Sequence, residues 1–208
     1  MAHEAPDPRE DTELIVEISL LSDEQLSDIY AWPQERSFRL NMLLDAAGSS
    51  AGSDGTSNSL TTQEDRRLLR IIRDQAHVVI VGAQSLRSEG WFLPPHGRLG
   101  VLSQSGNIPW DTCPDKSLVS VFPSPSALIH SLRNDETHIL CEGGISTAKI
   151  LNDTIGFDEI ALSRIGDGDL SHLPEFVNNS RDLSVSSTLV DTQNEMTFLY
   201  WRRAVEHQ

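Results

Sequence analysis

Val78-Val79-Ile80-Val81 is a run of four apolar, β-branched residues that stops at Gly82. A strand with one face in water alternates polar and apolar side chains, because successive side chains point to opposite faces. An unbroken run instead suits a strand buried on both faces, in a parallel sheet covered by helices on each side. The rest of the chain repeats that theme. "SFRLNMLLD" (Ser37 to Asp45), "RLGVLS", "SLVSVF", "THILC" and "FDEIALSRI" read as further strands. Between them lie helical patterns. "DRRLLRIIRDQA" has Leu68, Leu69 and Ile72 as its apolar stripe, with Thr61 and Glu64 at capping-box spacing. "SPSALIHSLR" carries Pro125 in its first turn, and "ISTAKILNDTI" follows a Gly-Gly pair. The tail, "RDLSVSSTLVDTQNEMTFLYWRR", alternates around "DTQN" and predicts an antiparallel hairpin. The expected fold is α/β: a mixed sheet, mostly parallel with an antiparallel C-terminal hairpin at its edge, flanked by helices.

With 208 residues, 38% of them apolar, the chain suits one domain with a real core. Its formal net charge of −15 argues against a general nucleic-acid binder. The charge is uneven: residues 1–35 hold ten acids and one Arg. They read as an acidic N-terminal arm with a short helix in "LLSDEQLSDIYAWP", N-capped by Ser22 with Gln25 at the reciprocal position and stopped by Pro33. Residues 36–208 then form the domain proper. No apolar run approaches the length of a membrane span, and the N-terminus is polar and acidic. Two cysteines, Cys113 and Cys141, the second ending an apolar strand, fit a cytoplasmic protein with reduced thiols.

Chemistry is concentrated at two strand ends. At "THILCEGGISTAKIL" an apolar strand meets Glu142-Gly143-Gly144 and a helix starts at once. Glycines can take φ > 0 in a sharp turn, and they let a ligand approach the unpartnered N–H groups of a helix start, so the turn is a ready phosphate site. The plainer alternative is a tight turn only. At "VVIVGAQSLRSEG" a second buried strand ends in Gly, and Ser85, Arg87 and Ser88 follow in what reads as a polar turn. A guanidinium with hydroxyls could hold a second phosphate, such as the 2′-phosphate of NADP; a solvated turn is the alternative. Open α/β sheets bind ligands at the carboxyl ends of their strands, so two such turns together suit a dinucleotide. Arg66, Arg70 and Arg73 share one helix face, and their spacing allows either an anionic ligand or salt bridges to nearby acids. "AAGSSAGSDGTSNS" is a long polar loop of the kind found at binding sites. No P-loop, GxGxxG, HExxH, G-x-S-x-G or deaminase zinc signature occurs, so no metal is expected and a carried cofactor must supply the chemistry.

From about Leu20 to Arg203, and above all in "DGTSNSLTTQEDRRLLRIIRDQAHVVIVGAQSLRSEG" and "ILCEGGISTAKIL", the chain resembles the reductase domain of the bifunctional riboflavin-biosynthesis deaminase-reductase, and still more the stand-alone pyrimidine reductase-like proteins. The resemblance implies a dihydrofolate-reductase-like fold, a homodimer and an NADPH-dependent reductase acting on a phosphoribosylamino-pyrimidine, with hydride reaching the ribosyl imine carbon. It places Ser57 and Arg73 on the substrate and its phosphate, and Glu142 on the substrate. Ser59, Ser85 and Glu89 match dinucleotide contacts, and Gly144, Ile145, Ser146 and Thr147 match the helix start that receives the cofactor phosphates. Asp45 matches the residue that organises the nicotinamide end. The family's first strand ends Ser-Leu-Asp-Gly, whereas this chain reads Leu43-Leu44-Asp45-Ala46. A catalytically degenerate nucleotide-binding or interaction module is the alternative expectation. The exposed-edge character of "TFLYWRR" is a second argument for pairing between copies.

Overall fold

The structure, a computed structural model, describes residues 15–166, 170, 172–178 and 182–203. The first 14 residues of the acidic arm lie outside these. The strands are β1 (Val16–Glu17), β2 (Ser37–Leu44), β3 (Val78–Gly82), β4 (Arg98–Leu102), β5 (Val119–Phe122), β6 (His138–Cys141), β7 (Glu159–Ile165), β8 (Leu183–Asp191) and β9 (Met196–Arg203). The helices are α1 (Asp23–Ile29), α2 (Gln63–Asp74), α3 (Ala83–Glu89), α4 (Pro125–Ser131), α5 (Ile145–Ile155) and α6 (Glu175–Asn178). The strands form one sheet in the order β1-β8-β9-β7-β2-β6-β3-β4-β5. Every neighbouring pair is parallel except those made by β9, which runs antiparallel to both β7 and β8.

The run at β3 behaves as its composition requires. Val79 and Val81 enter a core layer with Leu26 of α1, Leu68 and Ile72 of α2 and Leu86 of α3. Val78 and Ile80 enter the opposite layer with Leu128 of α4, Ala148 and Leu151 of α5 and Phe176 of α6. Both faces are therefore dry, and each of these side chains larger than alanine contributes on the order of 1.5–3 kcal/mol by leaving water.

Several expectations need correction. Of the acidic arm, residues 15–35 pack on the sheet: Ile18, Leu26 and Tyr30 are fully buried, and β1 extends the sheet beside β8. Ser22 does cap α1 in a complete capping box with Gln25, but the helix ends at Tyr30, ahead of Pro33. The cap of α2 is Thr62, one residue beyond the expected Thr61, because the Thr62 hydroxyl accepts the Asp65 N–H; Thr61 instead donates to the Asp65 carboxylate at 2.6 Å. The buried stripe of α2 is Leu68, Ile71 and Ile72, while Leu69 turns to a cavity. The stretch after Gly82 is helix α3 and not a turn. Finally, β9 is not an edge strand. Phe198 and Tyr200 are fully buried between β7 and β8, so the edge argument for pairing between copies falls.

At the amino ends of β3 and β6 the rings of His77, His138 and Trp32 stack, with centroids 4.4 and 5.0 Å apart. His77 Nδ1 accepts the N–H groups of Thr137 and His138, at 3.1 and 3.2 Å, which requires it to be unprotonated. Burial, and then the neighbouring His138, hold its pKa below the ordinary histidine value. The unfolded chain therefore binds the proton more readily than the folded one. The stability from this contact should be full above about pH 7 and should fall as pH drops below the ordinary histidine value. Urea midpoints measured from pH 8 to pH 5 should show that decline, and His77→Asn, which keeps an acceptor but cannot titrate, should flatten it.

Candidate functional site

The carboxyl ends of β2, β3 and β6 open into a cavity of about 560 Å³, within the size range of small-molecule sites. Its base is formed by Asn41 and Leu43 of β2 and Val81 of β3. The parallel sheet brings these ends together, and α2, α3 and the first turn of α5 wall them.

The Glu-Gly-Gly junction forms one wall. Neither Gly143 nor Gly144 takes a positive φ, so a left-handed turn is not what the glycines provide. A Cβ on Gly143 would lie 2.5 Å from both Cβ and Cγ2 of Thr147, and a Cβ on Gly82 would lie 2.4 Å from Thr147 Oγ1. Both glycines are thus sterically required, and Thr147 sits against the ends of two strands at once. Gly144 differs. A Cβ there would meet only Ser50 Oγ, at 3.8 Å, and both residues line the cavity. Gly144 is the N-cap of α5, with φ −61° and ψ 173°, and offers no side chain to the first turn. The N–H groups of that turn keep their donors for a ligand, with the dipole of an 11-residue helix behind them. This wall fits a phosphate group.

Glu142 stands across from it. Its N–H donates to Ile80 O at 2.9 Å, which extends the β6–β3 ladder by one residue and fixes the side chain at the cavity. The carboxylate is buried and receives Arg73, from the last turn of α2, through Nε at 2.8 and 3.0 Å and through Nη2. The Arg73 guanidinium also lies 4.0 Å from the Phe92 ring centroid. Two of the residues that the resemblance assigns to the substrate therefore hold each other.

The remaining candidates divide. Ser57, Ser85, Glu89, Ile145, Ser146 and Thr147 all line the cavity with Gly143 and Gly144. The Ser57 N–H donates to Glu89 Oε1 at 2.9 Å, tying the polar loop to α3. Asp45, Ser59 and Arg87 are not among the lining residues. Asp45 Oδ1 accepts the N–H groups of Ala47 and Ser49 within its own turn. Ser59 is exposed and donates to Asp54. Arg87 is bonded to Gln84 and to Asn107 O, because α3 turns it outward. Sequence reasoning missed Trp91 as a wall residue; its indole donates to Pro109 O and stacks on Trp110. Its only signal was the aromatic start of "WFLPPHGR". Cys141 lies behind the site, fully buried, and burial pushes its thiol up to about 12, so it is no nucleophile.

No protein-family model matches this chain, and no curated protein matches it in sequence. Solved structures do match in shape. A pyrimidine reductase-like protein from Corynebacterium diphtheriae superposes with a TM-score of 0.67 at 17% identity, over 87% of this chain and 99% of the other. A diaminohydroxyphosphoribosylaminopyrimidine deaminase/5-amino-6-(5-phosphoribosylamino)uracil reductase from Thermotoga maritima gives 0.57 at 16% identity, over 82% of this chain and 57% of the other. The fold is therefore the dihydrofolate-reductase-like one, with its mixed sheet and C-terminal hairpin. Among the described residues no helix is long and apolar enough to cross a membrane.

Proposed function

We propose that this chain, which shares its fold with the pyrimidine reductases it matches, is an NADPH-dependent reductase of the riboflavin-pathway type, acting on 5-amino-6-(5-phosphoribosylamino)uracil or a near relative. The observation that carries this reading is the α5 N-terminus, stripped of side chains at Gly143 and Gly144 and opening on a cavity whose other wall is the Arg73–Glu142 pair. NADPH, when bound, would supply the hydride for the ribosyl imine carbon, and a proton from solvent would complete the amine. The N–H groups of Ile145, Ser146 and Thr147 hold the pyrophosphate. Ser85 and Ser88, on the cavity side of α3, face the dinucleotide, whereas Arg87 is engaged elsewhere. Glu142, fixed by Arg73, presents its remaining lone pairs to hydroxyls or ring N–H groups of the substrate. Ser57 closes the loop side. Orientation in a walled cavity is what the protein contributes to such a transfer. By the same resemblance we propose a homodimer, which light scattering at micromolar concentration tests.

Mixing the protein with NADPH and the deaminated pyrimidine intermediate should give substrate-dependent loss of reduced-nicotinamide absorbance. NADPH binding without oxidation would favour the second reading, a nucleotide-binding module without turnover. One observation points that way: the Asp45 carboxylate is spent on its own turn and stands outside the cavity lining.

A further inference from the structure

Two buried carboxylates line the main cavity, Glu142 and Asp65, and they differ in state. Glu142 is neutralised by Arg73. Asp65, in the first turn of α2 and 6% exposed, has no ion pair among the described residues, although Arg66 and Arg67 follow it in the chain. The helix dipole offsets part of its charge. Thr61 donates to Oδ2 at 2.6 Å, and Oδ1 receives no hydrogen bond among the described residues. The Tyr30 hydroxyl does not satisfy it either. Burial, opposed by Arg39 and helped by the Asp65 charge, pushes that phenol up, and the hydroxyl is fully buried without a hydrogen-bond partner. Leu43 of β2, Val81 of β3 and Leu86 of α3 line the same space, so the carboxylate stands among apolar side chains. A buried carboxylate with open lone pairs is costly, and at a cavity wall the donors that relieve it come from whatever enters the cavity.

We infer that Asp65 is a specificity-determining residue that reads a paired N–H edge, so that the cavity takes a 2-aminopyrimidin-4-one ring in preference to a uracil ring. The inference rests on the reading above in one respect, that the substrate carries a pyrimidine. A ring N–H beside an exocyclic amino group presents two parallel donors, the fork that a carboxylate accepts in bidentate fashion. Lone pairs remain for both with Thr61 in place, two on Oδ1 and one on Oδ2. Uracil carries a carbonyl where the amino group stands, and its oxygen would face a carboxylate oxygen with no proton between them. A site that one analogue pairs and the other leaves unpaired discriminates strongly between them. Glu142 is the weaker acceptor for such an edge, because Arg73 already engages both of its oxygens. Leu43, Val81 and Leu86 supply apolar surface for the faces of a planar ring.

The probes are 2-aminopyrimidin-4-one and uracil, titrated by ligand-observed NMR into the parent, Asp65→Asn and Asp65→Ala. The parent should bind the aminopyrimidinone about tenfold or more tightly than uracil. The alanine variant should lose that preference. The asparagine variant offers one donor beside one acceptor, which matches the N–H and C=O edge of uracil, and should reverse the preference. A merely structural role for Asp65 would not invert a ratio. In turnover, the kcat/KM of the parent should favour the substrate that keeps its 2-amino group by a similar factor, and Asp65→Asn should favour the deaminated one. A parent that binds the two rings equally, or binds neither, overturns the inference whatever the variants do. So does an asparagine variant that keeps the preference of the parent. Failure of the parent to bind or oxidise NADPH overturns the reductase reading alone, because the ring titrations need no cofactor.

Discussion

Arg39→Ala should cost about 3–5 kcal/mol of stability, a large share of what a domain of this size possesses. Arg39 is the largest fully buried side chain among the described residues. Its Nε donates to Glu159 Oε2 at 2.8 Å, Nη1 to Tyr30 O at 2.8 Å and Nη2 to the Tyr200 hydroxyl at 2.8 Å, and its guanidinium carbon lies 3.9 Å from the Trp32 ring centroid. Removing it leaves the buried Glu159 carboxylate with two hydroxyl donors, Tyr200 at 2.8 Å and Ser37 at 3.4 Å, and a single cation, the half-exposed Arg202 at 3.2 Å, and it strands a backbone carbonyl. The expected fall in Tm is roughly 10 °C. Replacing both partners, as Arg39→Met with Glu159→Leu, should cost much less, because no lone charge remains. Urea melts of the parent and the two variants decide the matter. A loss below about 1 kcal/mol for Arg39→Ala would mean that the buried network contributes little.

The second large effect separates the two glycines of the junction. Gly144→Val should raise the Kd for NADPH roughly a hundredfold, because the valine fills the space through which a phosphate reaches charge-assisted N–H donors. The backbone there is one that valine adopts, and its Cβ meets nothing closer than 3.8 Å, so Tm should hardly move. Gly143→Val should do the reverse and lower Tm first, since its Cβ falls on Thr147. Calorimetric titration beside thermal melts reads both. A Gly144→Val protein that binds NADPH like the parent would place the pyrophosphate elsewhere.

What the sequence made legible follows from how local each signal is. Helix α5 matches its expected span, Ile145–Ile155, because glycines flank it on both sides and its apolar positions lie within four residues of one another. Helix α3 was hidden. Its N-cap is a glycine without a side-chain bond, it is only seven residues long, and Ser-Leu-Arg-Ser reads as readily as a turn. The position of β9 inside the sheet depends on its antiparallel pairing with β7, a long-range contact that no local pattern reports. The site shows the same division. The Gly-Gly wall was visible in one short stretch, although for the wrong steric reason. The Arg73–Glu142 pair joins residues 69 apart, and Arg39–Glu159 residues 120 apart. No periodicity reports such partners, so the spacing of Arg66, Arg70 and Arg73 left an anionic ligand and salt bridges both open, and only the fold pairs Arg73 with Glu142.

Thr147, pressed against Gly82 and Gly143, makes substitution at these three positions depend on order. Neither glycine can gain a methyl while the threonine is present, because the intruding atom would stand about 2.5 Å from it. Once position 147 is alanine, Gly82 can; Gly143 needs glycine at 147, because the Thr147 Cβ itself stands 2.5 Å from the added atom. The same set of changes is therefore open by one mutational route and closed by another. A library that randomises 82 or 143 singly should return glycine whichever dinucleotide is used for selection. Any redesign of this junction must begin on the helix, and reach the strands second.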